Sequence, residues 1–168
     1  MLIPKKNSYV SSEISLFDRL VRAGEENSLV TLPLQFHAFL VECLVEHLCD
    51  REIVHSILAI GFLSSASELG EYGNVMLKRT GDCALLLAGL FPERAIRLHV
   101  SSRYFRFIGQ AAYANLGAKF QATGRADRGK FYDEVAEHFN LLERVLRAAR
   151  ARPETEWNAF RRFRANIQ

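Results

Sequence analysis

The sequence predicts an all-α protein. Nearly every apolar run repeats at three- and four-residue spacing rather than at strand spacing, and no Asn-Gly or Asp-Gly pair stands between alternating segments to close a β-hairpin. Its 168 residues, 49% hydrophobic and 11% aromatic, are enough for one domain with a real core. The expected architecture is a single-domain bundle of six to seven helices over residues 1–168, with residues 1–10 as a flexible or extended amino-terminal segment.

Each element follows from local chemistry. A first helix is expected after Ser11 or Ser12, carrying Ile14, Leu16, Phe17, Leu20 and Val21 and ending at Gly24 as a glycine terminator. A second begins between Thr31 and Pro33, since proline suits a first turn, and continues through Phe36, Phe39, Leu40, Cys43, Leu44 and Leu48 with Glu42, Glu46 and Asp50 on its wet side. Asp50 can cap a third, which carries Ile53, Ile57, Leu58 and Ile60. A turn is expected over residues 61–66, where Ser65-Ala-Ser-Glu68 has capping-box spacing.

The fourth segment includes Met76 and Leu77 and extends through Gly81 to Leu90, with a break near Thr80 because glycine weakens a helix. Phe91-Pro92-Glu93 marks a restart, as Pro92 disfavours helical geometry at Phe91, fits the first helical position itself and is followed by an acid that suits a helix start. A short helix then reaches Leu98. Ser101 caps a long helix from Ser102 to about Ala122, closed by Gly124. One further amphipathic helix repeats Phe131, Val135, Phe139, Leu142 and Leu146. Pro153 ends that run, and residues 154–163 form a last short helix with Trp157, Phe160 and Phe163 on one side and Arg161, Arg162 and Arg164 on another.

Composition narrows the function classes. No stretch of eighteen uncharged apolar residues exists, because Glu42, Glu46, Arg51 and Asp82 interrupt the longest runs, so no membrane span is expected. The start lacks the charge order and cleavage pattern of a secretory signal. Cys43, Cys49 and Cys83 sit among apolar neighbours with no paired spacing, which suits buried reduced thiols and a cytoplasmic protein. Residues 1–90 hold seven Lys/Arg against eleven Asp/Glu, and residues 91–168 hold fifteen against eight, so the halves carry about −4 and +7. Such halves can attract each other within one fold or between two copies, and the basic half can attract an acidic partner.

Catalytic signatures are missing. The nucleophile elbow, the phosphate-binding lysine loop and the dinucleotide glycine turn are all absent, and Asp82 beside Cys83 would discourage a thiolate. His37, His47, His55, His99 and His138 lack the Glu-x-x-His register of helical di-metal sites. Glu134 and His138 can share a helix face, but no second such pair accompanies them, and neither a metal nor a cofactor is expected.

The stretch Arg79 to Tyr113 is the most distinctive. Gly81, Ala84 and Ala88 form a seam of small residues, Gly109 and Ala112 form another, and helices that meet along such seams approach closely. Asp82 then either caps its segment or accepts hydrogen bonds from a tyrosine or from Arg103. The pattern Gly81-Asp82, Gly89, Phe91-Pro92, Tyr104, Gly109 and Ala112-Tyr113 resembles an uncharacterised family of bacterial helical proteins, with Phe105 standing where a second tyrosine often occurs. The resemblance implies a bacterial, cytoplasmic, helical domain and supplies no mechanism.

The expected function is therefore a non-enzymatic interaction or regulatory module that binds a protein partner, itself included as a homodimer. One alternative is a ligand or enzyme site built from Asp82, Arg103, Tyr104, Tyr113 and His99. A second is a nucleic-acid contact through Arg144, Arg147, Arg150, Arg152, Arg161, Arg162 and Arg164, although no recognition motif accompanies that charge.

Overall fold

The computed structural model describes residues 6–47 and 58–150. All secondary structure among them is helical: α1 (Lys6–Ser28), α2 (Leu34–His47), α3 (Leu58–Ser67), α4 (Glu71–Leu90), α5 (Glu93–Arg97), α6 (Ser102–Ala122), α7 (Ala126–Glu137) and α8 (Phe139–Ala149). The all-α class is as expected, with eight helices among the described residues in place of six to seven. The chain divides into two compact units, Met1–Asp50 with Arg144–Gln168 and Arg51–Glu143, so α8 contributes to both.

In the first unit, α1 begins at Lys6, so residues 6–10 are helical rather than extended. It also runs past Gly24. That glycine does not end the helix; it faces α8, where a Cβ would collide with the Val145 carbonyl and lie 3.1 Å from Ala149 Cβ. The missing side chain is used for close packing, and Asn27 Nδ2 donates to Ala148 O at 3.2 Å alongside it. The true end is a left-handed residue, Leu29 (φ 54°). Leu29 N–H bonds Glu26 O and Val30 N–H bonds Glu25 O, the paired closure of a Schellman motif. Pro33 then leads into α2, and its carbonyl accepts from Phe36 and His37 N–H. Phe17, Val21, Phe36, Leu40, Cys43 and Leu44 are buried here, each large side chain worth about 1.5–3 kcal/mol on burial.

The second unit holds α3 to α7 and the start of α8. α3 crosses the expected turn at 61–66 without interruption. Ser65 and Ser67 do not cap a following helix; their hydroxyls bond back to Phe62 O and Ser64 O within their own. The turn falls instead at Gly70 (φ 84°), just before α4. Lys119 of α6 donates to Ser65 O at 3.0 Å and to Glu68 O, holding the end of α3. α4 continues through Thr80, whose hydroxyl bonds Met76 O at 2.8 Å, so no break occurs there. α5 and α6 fall where the sequence puts them, α6 closing at Gly124 (φ 76°) in another Schellman motif.

The single helix expected through Phe131 and Leu146 is two. His138 interrupts it: its N–H and its ring Nδ1 both address Glu134 O, at 2.9 and 2.8 Å, and α8 restarts from His138 O. Tyr113, Tyr132 and Phe120 stack in sequence, with centroids 6.1 Å apart for the first pair and 5.7 Å for the second, while Phe139 packs against Tyr113 at 6.2 Å. Arg128 and Arg125 cover Phe120 at 4.7 and 5.1 Å. The expected helix over residues 154–163 lies outside the described residues.

Candidate functional site

The two seams of small residues do meet. A Cβ at Gly81 would stand 2.6 Å from Tyr113 Cε1, and one at Gly109 would enter the Phe139 ring and lie 3.1 Å from Ala84 Cβ. Glycine at both positions is what lets α4 and α6 close on aromatic rings.

This closure delivers Asp82 to Tyr113. The phenol donates to Asp82 Oδ1 at 2.7 Å, and Lys78, one turn earlier on α4, donates to Oδ2 at 2.9 Å. Asp82 and Tyr113 are both 0% exposed, and a fully buried carboxylate is tolerated only when paired and hydrogen-bonded. Asp82 sits in the middle of α4, so it does not cap the helix.

The other residues assigned to this junction lie elsewhere. Arg103 is exposed. His99 is exposed too, and its left-handed backbone (φ 54°) closes α5, with His99 N–H on Ile96 O and Val100 N–H on Ala95 O. Tyr104 is half-buried, its ring edge-on to Phe105 at 5.5 Å. Gly89 and Ala112 are buried, and Phe91 and Pro92 form the half-buried joint between α4 and α5. Arg144 and Arg147 are exposed on α8 and Arg150 is half-buried, whereas Arg152, Arg161, Arg162 and Arg164 lie outside the described residues. Cys43 and Cys83 are buried; Cys49 lies outside the described residues. The His138 ring Nδ1 lies 2.8 Å from the Glu134 carbonyl oxygen.

A second polar pair was not read from the sequence. Arg106 of α6 grips Glu143 through two nitrogens, one at 3.0 Å, and Glu143 is only 2% exposed. The hydrogen bonds that Arg106 donates to Glu143 hold the guanidinium above its ordinary value.

The first unit carries the other constellation. His37 Nδ1 lies 2.9 Å from Glu25 Oε2, and its Nε2 lies 2.9 Å from Asp18 Oδ1. Both contacts are hydrogen bonds when both ring nitrogens carry protons, because an ionised carboxylate only accepts. Arg22 Nε donates to the second oxygen of Asp18 at 2.8 Å, and Leu32 N–H donates to the second oxygen of Glu25 at 2.7 Å. The Arg22 hydrogen bond, then that of His37, holds the Asp18 carboxyl below its ordinary value. The network ties α1 to the start of α2. Its signal in the sequence was the i, i+4, i+7 spacing of Asp18, Arg22 and Glu25, which places all three on one stripe of a helix.

Beside this network α1 and α2 enclose a surface groove of about 580 Å³. Ile14, Leu34, Ala38, Val41 and Val45 supply its apolar lining; Ser15, Asp18, His37 and Glu42 supply the polar part. Leu34 is 83% exposed and Ile14 46%. No helix among the described residues is long and apolar enough to cross a membrane.

No family model matches the chain, and no curated protein or solved structure does either.

Proposed function

We propose that the chain is a non-catalytic helical interaction module that binds a protein partner, a copy of itself in particular. The observation that carries this reading is the α1–α2 groove, where Leu34 and Ile14 stand open to water beside Ala38, Val41 and Val45. The groups with chemical potential in the second unit support the same reading from the other side. Asp82 and Tyr113 have no accessible surface and are hydrogen-bonded to each other, with Lys78 on the second Asp82 oxygen. The bacterial, cytoplasmic setting belongs to this proposal and rests on the resemblance around Gly81 to Tyr113 and on the isolated, apolar setting of the cysteines.

Sedimentation equilibrium and multi-angle light scattering over a wide concentration range test the reading. A mass rising from one chain towards two supports it. A strict monomer at all concentrations that also leaves the groove without a protein ligand overturns it.

A further inference from the structure

Ala95 is the one buried residue of α5, and the four residues after it, Ile96, Arg97, Leu98 and His99, are all exposed. The left-handed backbone at His99 turns the chain here, so the stretch stands off the core. Two apolar side chains project from it, Ile96 at 77% exposure and Leu98 at 49%. Arg103 follows His99 by four residues, a reach of at most about 14 Å. Phe107, 69% exposed, stands one turn or about 6 Å further along the same stripe of α6, on the side away from buried Phe105.

Charge at this corner has one sign. From Arg94 to Ala126 the sequence carries six Lys/Arg and no Asp or Glu. Arg106, Arg125 and Lys119 are engaged, with Glu143, with Glu71 and with the carbonyls at the end of α3. Arg97 and Arg103 are exposed, and among the described residues neither guanidinium has a hydrogen-bond or ion-pair partner.

Free cations interleaved with exposed apolar side chains suit a surface that is anionic and apolar at once. A bilayer of acidic lipids offers phosphates at its face and hydrocarbon about 5–10 Å below. Arg97 lies between Ile96 and Leu98, so its long stem lets the guanidinium stay at the headgroups while its neighbours go deeper. Nucleic acid fits less well, because two free arginines neutralise few phosphates and Ile96 and Leu98 have no aromatic face for a base. A folded protein would need a hollow shaped to side chains that project this far, whereas a fluid bilayer needs none.

From these observations we infer that the corner formed by the end of α5 and the start of α6 is a peripheral docking site for an anionic lipid bilayer. Ile96, Leu98 and Phe107 enter the interface, and Arg97 and Arg103 hold lipid phosphates. The inference concerns the second unit alone and does not depend on the self-association proposed above.

Flotation of the intact chain with vesicles of phosphatidylcholine, alone or mixed with phosphatidylserine, tests it. Binding to the mixed vesicles is expected to exceed binding to the neutral ones about tenfold or more and to fall with added salt. Arg97→Glu with Arg103→Glu should lower the partition coefficient about tenfold or more. Arg19→Glu with Arg144→Glu makes the same change in net charge at two other exposed sites and should leave binding within about twofold, since charges beyond a Debye length of the lipid are screened. Ile96→Ser with Phe107→Ser should also lower binding about tenfold. Circular dichroism should be unchanged in all three variants, because every substituted side chain is exposed. Equal binding to neutral and acidic vesicles, binding to neither, or an equal loss in the Arg19 and Arg144 variant overturns the inference. So does binding that survives Ile96→Ser with Phe107→Ser, which describes attraction by charge alone. A chain that ignores vesicles and retains single-stranded RNA through Arg97 and Arg103 gives the corner to nucleic acid and overturns it as well.

Discussion

Tyr113→Phe removes one hydroxyl and keeps the ring that fills the space beside Gly81. Asp82 loses the donor 2.7 Å from Oδ1 and keeps Lys78 on Oδ2, in a site with no solvent contact to replace the lost bond. A hydrogen bond to a charged group contributes about 1.5–3 kcal/mol. For a chain of this size the loss corresponds to a fall in melting temperature of about 3–12 °C. Urea unfolding followed by circular dichroism measures it, with Asp82→Asn and the double variant completing a cycle. A coupling of about 1 kcal/mol or more is expected, because both groups act through one bond. A loss under about 0.5 kcal/mol for Tyr113→Phe would refute the view that this pair locks α4 to α6.

Other outcomes follow from the same structure. Gly109→Ala drives a methyl into the Phe139 ring; overpacking of about 2–3 kcal/mol less the roughly 1 kcal/mol gained in helix propensity leaves a net loss of about 1–2 kcal/mol, measurable by denaturant titration. Leu29→Gly should raise stability by up to about 1 kcal/mol, since Leu29 is 94% exposed and held at φ 54°, whereas Leu29→Ala should give no such gain. The carboxyl of Asp18 is depressed in the folded chain from an ordinary value of 3.8, so its contribution is fully present above that value and is lost as the pH falls below it. Arg22→Ala should therefore flatten the acid limb of the stability profile below about pH 4, and an unchanged limb would refute the assignment.

What the sequence made legible was periodic or strictly local. The all-α class, the Pro92 restart, the Ser101 start and Gly124 end of α6, and the meeting of the Gly81 and Gly109 seams all follow from side-chain spacing or from residues with special backbone preferences. The end of α1 escaped notice because a residue other than glycine takes the left-handed position. Schellman closures end α1, α5 and α6, yet only α6 places glycine at the left-handed position; Leu29 and His99 occupy the other two. Gly24, the obvious terminator by composition, serves instead as a contact point for α8. The break at His138 turns on a carbonyl shared between a backbone and a ring nitrogen, which has no signature in hydrophobic spacing. Polar pairing divided the same way. Asp82 was singled out by its apolar surroundings and found its tyrosine, but the partners of His37 and Glu143 depend on which helices become neighbours.

Lys119 has an analogous bearing on α3. Its ammonium reaches carbonyls at Ser65 and Glu68, more than fifty residues away in the chain, and substitutes for the capping groups that the local sequence fails to provide. The boundary of α3 is thus written partly in α6, so acetylation at this one amine would erase the charge and two of its donors and let the final turn before Gly70 unravel.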